Sequence, residues 1–173
     1  MKKNLNINAL YLLFLAGLLI TSCSISYSFT GSSVDYTKVS SISIKDFPNM
    51  APLVYAPLSQ QFTEALKDKY TRQTKLQVLR DGGDYDLEGE ISGYNFQSMA
   101  VKDGEFAAQT RLTITVRVRF TDNTDPEKDF ERTFSAYSDF SNESTIDQVQ
   151  DQLCEVIMKE IIDQIFNETV ANW

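Results

Sequence analysis

Cys23 is the residue whose chemistry the sequence predicts most directly. It follows a basic start at Lys2 and Lys3 and an apolar run, Leu10 to Ile20, that is too short to span a bilayer as a helix. Small residues lead from that run into the cysteine, which is the order found in a lipobox. This order predicts export, transfer of diacylglycerol to the Cys23 thiol and cleavage just before it. An ordinary secretory signal with an incidental cysteine is the alternative.

Acylation of this cysteine would anchor the mature chain to a membrane, because each methylene of the acyl chains that is buried in the bilayer contributes about 0.8 kcal/mol to membrane binding.

The amino-acid composition excludes several other kinds of chemistry. The chain contains no histidine, which excludes Ser-His-Asp and Cys-His nucleophiles and histidine metal ligands. Its net charge of −8 argues against nucleic-acid binding. With Cys23 acylated, Cys154 has no disulfide partner within the chain and is predicted to be a small core residue.

The stretch from Arg111 to Phe120 alternates without interruption between polar and apolar residues. This period predicts a strand with one face on a core and the other face outside. The polar side is a candidate binding surface, because it combines cations with hydroxyl groups. Its residues are Arg111, Thr113, Thr115, Arg117 and Arg119.

A hairpin turn at Asp103-Gly104 is predicted to pair this strand with an upstream one, since Asp-Gly favours a two-residue type I′ turn. Pairing outward from the turn places Glu88 opposite Arg119 and Glu90 opposite Arg117. Ion pairing within the sheet is therefore expected for these two arginines, each pair contributing at most about 1 kcal/mol.

Two cations remain as candidates to bind an anionic ligand. Arg111 faces Phe96 in this register and has no acid beside it. Lys102 lies at the hairpin tip next to apolar residues, which suits an amphiphile with an anionic head and acyl tails. A charged turn that serves only solubility is the alternative interpretation of Lys102.

Closely spaced acidic residues could catalyse a reaction or bind a metal ion, but their predicted neighbours argue against both roles. Glu88 and Glu90 have arginine neighbours that hold them ionised, so a catalytic carboxylate pair is not expected. The segment Asp122–Asp125 resembles part of a calcium loop but lacks the required glycine and bidentate glutamate, so it is interpreted as a turn. The sequence predicts no enzyme activity, no cofactor and no metal site.

The elements that position these residues predict an α+β fold. Strand signals at residues 42–44 and 76–78 flank a helix that begins near Pro57. A later strand over residues 130–140 precedes a last helix with an apolar stripe of about six turns. Together they predict a small, mostly antiparallel sheet with two helices packed on one face. The organisation is a leader over 1–22, a tether over 23–37 and one domain over 38–173.

Several segments together carry a family resemblance. They are Tyr27–Phe29 after the lipid cysteine, Leu58–Leu66 in the first helix, Arg111–Val116, Asp125–Phe130 and the ending Val170–Trp173. In combination they resemble the lipopolysaccharide-assembly lipoprotein family (LptE), in its divergent branch.

The resemblance implies an outer-membrane lipoprotein, on the periplasmic side, that plugs a β-barrel lipopolysaccharide translocon (LptD-like) and receives lipopolysaccharide there. In the family a basic residue at the central hairpin tip is implicated in lipopolysaccharide contact, and Lys102 occupies that place. A second basic contact before the last helix is not matched, since Phe140–Glu143 contains no cation. The alternative is a free-standing lipoprotein that binds an envelope ligand or scaffolds surface proteins.

A barrel interior is polar, so the polar side of the central strand is expected to face it. The barrel-facing candidates are Thr113, Thr115, Arg117 and Arg119.

Overall fold

A computed structural model describes residues 34–99 and 108–170 of the chain. The predicted leader, most of the tether, Cys23 and Lys102 lie outside the described residues. In chain order the elements are β1 (Ser41–Ile44), α1 (Leu58–Gln73), β2 (Gln77–Leu79), β3 (Tyr85–Met99), β4 (Gln109–Asp122), a 3₁₀ turn (Pro126–Lys128), β5 (Phe130–Ser141) and α2 (Ile146–Val170).

The predicted α+β class is confirmed, but the sheet differs from the prediction. Its five strands lie in the order β2-β1-β3-β4-β5. The prediction of a mostly antiparallel sheet is wrong, because β1 pairs in parallel with both β2 and β3 and the sheet is mixed. The β1–α1–β2 unit explains part of this difference, since a helical crossover returns the chain in the same direction. The β3–β4 and β4–β5 pairs are antiparallel.

The predicted register of the β3–β4 pair is confirmed over its first half. Glu88 lies opposite Arg119, and Glu90 lies opposite Arg117. An irregularity between Ile91 and Gly93 then shifts the pairing by one residue. A bulge of this kind adds one residue to one strand only, so Gln97 takes the place opposite Arg111 that was predicted for Phe96.

Buried side chains from the sheet and both helices form one hydrophobic core. Cys154 of α2 is fully buried, as predicted for a small core residue, and its Sγ lies 3.9 Å from the hydroxyl of Tyr94 in β3. Burial raises the pKa of the Cys154 thiol to about 11, which keeps it protonated and unreactive. Val34, the first described residue, is also buried.

Because Gly89 of β3 has no side chain, the Phe47 ring can pack directly against the sheet. A Cβ atom at position 89 would lie 2.5 Å from Phe47 Cε1 and 2.2 Å from the carbonyl oxygen of Arg117. The Phe47 ring is fully buried and packs 5.3 Å, centroid to centroid, from Phe62 of α1. The absent side chain therefore makes room for a ring that joins the first helix to the sheet.

Arg132 lies on the same side of β5 as Phe134 and Ala136, which pack on the core, and it has a partner there. Its guanidinium donates to the carboxylate of Glu168 near the end of α2.

Among residues 34–99 and 108–170, no helix combines the length and the apolar character needed to cross a membrane.

Candidate functional site

The three long strands present a continuous surface of polar side chains opposite their buried residues, which we call the polar face. Side chains alternate along a strand, so the buried positions of β4 leave every other residue on this surface. The polar face consists of Glu88, Glu90, Asn95 and Gln97 of β3, Arg111, Thr113, Thr115, Arg117 and Arg119 of β4, and Glu131, Thr133, Ser135, Tyr137 and Asp139 of β5.

One end of the polar face is a network of ion pairs. Arg119 lies 3.6 Å from Glu88 and 3.0 Å from Glu131, and Arg117 lies 3.4 Å from Glu90. The predicted pairing of both arginines within the sheet is therefore confirmed. Both arginine side chains are more than half exposed, so each pair contributes little to stability.

Glu88 has a further partner that the sequence did not indicate. Lys45, which follows β1, places its Nζ 2.7 Å from the Glu88 carboxylate. This hydrogen bond is the main cause that lowers the pKa of Glu88, so the group stays ionised at neutral pH and is a poor general acid. Lys45 was missed because its approach depends on the parallel pairing of β1 with β3.

The other end of the polar face holds Arg111 in a fixed position. Its Nε and Nη2 donate to the two carboxylate oxygens of Asp139 at 2.7 and 2.8 Å, and its guanidinium lies 3.6 Å from the centroid of the Tyr137 ring. The prediction that Arg111 has no acid beside it is wrong. Its partner comes from β5, whereas sequence reasoning considered only its neighbour on β3.

The centre of the polar face is uncharged. Thr115 lies opposite Ser135, and Thr113 lies opposite Tyr137, whose side chain is half exposed. Hydroxyl groups both donate and accept hydrogen bonds, so this strip can adapt to many polar partners. The odd-numbered hydroxyl residues of β5 were missed, although their alternation in the sequence was a usable signal.

The segment Asp122–Asp125 is a turn, as predicted. Asp122 is buried, and its Oδ1 accepts hydrogen bonds from the Thr124 amide, the Thr124 hydroxyl and the Asp125 amide. Within the described ranges, no group of three or more acidic or cysteine side chains is arranged to hold a metal ion. The surface therefore offers polar contacts and paired charges as its chemistry.

A known protein family matches nearly all of the described domain. A family model described as LptE, lipopolysaccharide-assembly, matches residues 39–169. No curated protein matched the chain at a significant level.

Two solved structures share the fold at low sequence identity. Protein XCC0632 from Xanthomonas campestris is 16% identical, with a TM-score of 0.51, over 74% of this chain and 82% of that chain. The hypothetical protein CT253 from Chlamydia trachomatis is 13% identical, with a TM-score of 0.50, over 77% of this chain and 99% of that chain. At these identities the likeness concerns the fold alone.

Proposed function

Because the chain belongs to the LptE family of lipopolysaccharide-assembly proteins, we propose that it is an outer-membrane lipoprotein that plugs a β-barrel translocon and assists lipopolysaccharide delivery to the outer leaflet. The matched residues 39–169 include all five strands and nearly all of the last helix. The family role is assembly, which agrees with the prediction that the chain is not an enzyme.

The polar face is the observation that supports a plug role. A barrel wall presents polar side chains to its lumen, and a plug must match them without leaving charges unpaired. Arg111, Arg117 and Arg119 each have a carboxylate partner within the sheet, and the threonines between them offer hydroxyl groups. Such a surface can contact another polar surface at little electrostatic cost.

The anchor is the second part of the proposal. Acylation of Cys23 would hold the mature chain at the outer membrane, with residues 1–22 removed and the segment 23–37 leading to the domain. For lipopolysaccharide contact, Lys102 is the better candidate, because Arg111 already binds both oxygens of Asp139.

Site-specific photo-crosslinking in intact cells tests the plug role. A photoreactive amino acid at Thr113 or Thr115 is expected to crosslink to one large barrel protein, because both side chains lie on the polar face. Glu160, exposed on α2, is the matched control position and should crosslink to the barrel much less. Crosslinking that is absent from the polar face would contradict the proposal and favour a free-standing lipoprotein.

A further inference from the structure

The connection between β1 and α1 exposes apolar side chains over a long stretch. Met50, Leu53 and Val54 are 65%, 52% and 67% exposed. Residues 47–63 contain no charged side chain, although 23% of the chain is charged. Within residues 48–57, which we call the apolar loop, every exposed residue is apolar. These residues are Pro48, Met50, Pro52, Leu53, Val54, Ala56 and Pro57.

The apolar loop is attached to the domain at both ends. The Met50 amide donates to the carbonyl oxygen of Ile91 in β3 at 2.8 Å, and the Ile91 amide donates to the carbonyl oxygen of Pro48 at 2.9 Å. Toward the other end, the Tyr55 hydroxyl donates to the carboxylate of Asp151 in α2. The apolar side chains between these attachments are therefore presented to the surroundings by a fixed framework.

The apolar loop offers its surroundings little hydrogen-bonding chemistry. Its three prolines have no amide proton, and the Ala51 amide already donates to the Asn49 side chain at 3.1 Å. A protein–protein interface carries about one hydrogen bond per 100–200 Å² and has a polar rim. A lipid surface requires no such bonds and favours backbone groups that are already satisfied. The loop therefore fits a lipid surface better than the surface of another protein or of a second copy.

The charge of the chain indicates how such a contact would be stabilised. The net charge is −8, so attraction to anionic head groups does not bring this protein to a membrane. A loop without charged residues avoids the repulsion. Burial of Met50, Leu53 and Val54 at the boundary between head groups and acyl chains would supply the favourable free energy, since binding at this depth scales with the apolar area buried.

The predicted acyl anchor lies within reach of the same membrane. Eleven residues lead from Cys23 to Val34, and an extended chain of that length spans at most about 40 Å. β1, which leads from the tether side of the domain to the apolar loop, has 4 residues and is only about 13 Å long. The tether is therefore long enough for the anchor and the apolar loop to contact one membrane.

We propose that the apolar loop inserts into the phospholipid surface that holds the acyl anchor. The domain then has two attachments to the bilayer, one covalent and one through the loop, and its orientation is fixed by both. This inference rests on the proposed anchor. It goes beyond the plug role, because it assigns a lipid contact to a surface separate from the polar face.

Fluorescence quenching of the full acylated chain in phospholipid vesicles tests this proposal. The vesicles contain phosphatidylethanolamine and phosphatidylglycerol, and a fraction of the lipids carries a nitroxide quencher on an acyl chain. A fluorophore is attached at Val54→Cys or, as the matched control, at Gln73→Cys at the exposed end of α1. Acylation blocks the Cys23 thiol and Cys154 is buried, so only the introduced cysteine reacts. We expect quenching to be at least about fivefold stronger at position 54 than at position 73.

Two double variants show whether the apolar side chains cause the insertion. Leu53→Ser with Val54→Ser, labelled at Met50→Cys, should lower the quenching to the level of the control position. Gln60→Ser with Gln61→Ser, in the first turn of α1, is the matched change and should leave it high. The replaced side chains are exposed, so the midpoint of urea unfolding should be the same in both variants.

Flotation of the vesicles separates the loop contact from the anchor. A chain that floats with the vesicles but is quenched equally at the two positions would overturn the loop contact and leave the anchor in place. A chain that does not float would overturn both. A fluorophore at position 54 that is shielded from water without being quenched by lipid would mean that protein covers the loop, which also overturns the proposal.

Discussion

Arg111 and Asp139 are joined by two parallel hydrogen bonds across β4 and β5, from Nε to Oδ1 and from Nη2 to Oδ2. Their side chains are only 26% and 30% exposed, and the guanidinium also covers the Tyr137 ring. A planar two-bond pair of this kind fixes both partners more firmly than a single contact does. This pair therefore holds one end of the polar face in a defined shape.

A double-mutant cycle measures that coupling. The variants Arg111→Gln, Asp139→Asn and their combination are expected to give an interaction energy of about 1 kcal/mol in urea unfolding. The Arg72–Asp68 pair of α1 is the control, because its side chains are 75% and 53% exposed. We expect only about 0.3 kcal/mol there. Equal coupling energies in the two cycles would contradict the special role of the first pair.

The space at Gly89 gives a second prediction. Gly89→Ala should destabilise the protein by about 3 kcal/mol, because the new methyl group would overlap Phe47 and the Arg117 carbonyl oxygen. Gly93→Ala is the control, since its Cβ would meet the Thr115 side chain at 3.1 Å, and about 1 kcal/mol is expected. The midpoint of urea unfolding measures both variants. A loss at position 89 no larger than that at position 93 would show that Phe47 can move aside.

The start of β1 should make stability depend on pH. Asp84 Oδ2 accepts hydrogen bonds from the amides and hydroxyls of Ser40 and Ser41, which lower the pKa of Asp84. The pKa of Asp84 is therefore lower in the folded protein than its value of about 4 in the unfolded chain. The ionised carboxylate stabilises the fold at pH values above that unfolded pKa, and this stabilisation is lost as the pH falls through the folded-state pKa. Asp84→Asn should therefore cost about 1 kcal/mol at pH 7 and flatten the acid limb of the stability profile.

The neighbouring substitution Asp81→Asn is the control for that experiment. It makes the same change in charge within the same connection between β2 and β3 but leaves the hydrogen bonds to Ser40 and Ser41 in place. A steep acid limb that persists in Asp84→Asn would mean that other carboxylates carry the pH dependence.

Sequence reasoning succeeded where local chemistry determined the structure. The pairing of Glu88 with Arg119 followed from alternation and charge within two strands joined by one predicted turn. The partner of Arg111 could not be found in this way, because the register of β5 depends on the connection through the 3₁₀ turn Pro126–Lys128. The parallel pairing of β1 was missed for a similar reason, since four residues carry too little pattern to reveal which strands they join.

Lys102 gives a test of lipid contact that is separate from the plug role. Lys102→Glu should reduce the lipopolysaccharide that copurifies with the protein, because an anionic head group would meet a like charge. Lys159→Glu, at an exposed position of α2, is the control and should leave the amount unchanged. Equal amounts of lipopolysaccharide in both variants would remove Lys102 from the lipid site without affecting the barrel proposal.

The central claim, that this protein works inside a barrel, is tested most directly by affinity purification of the full-length chain from detergent-solubilised outer membranes. Mass spectrometry and quantitative staining would then identify its partners and their ratio. We predict recovery of one large β-barrel protein in equal molar amount. Recovery of the lipoprotein without a barrel would contradict the account.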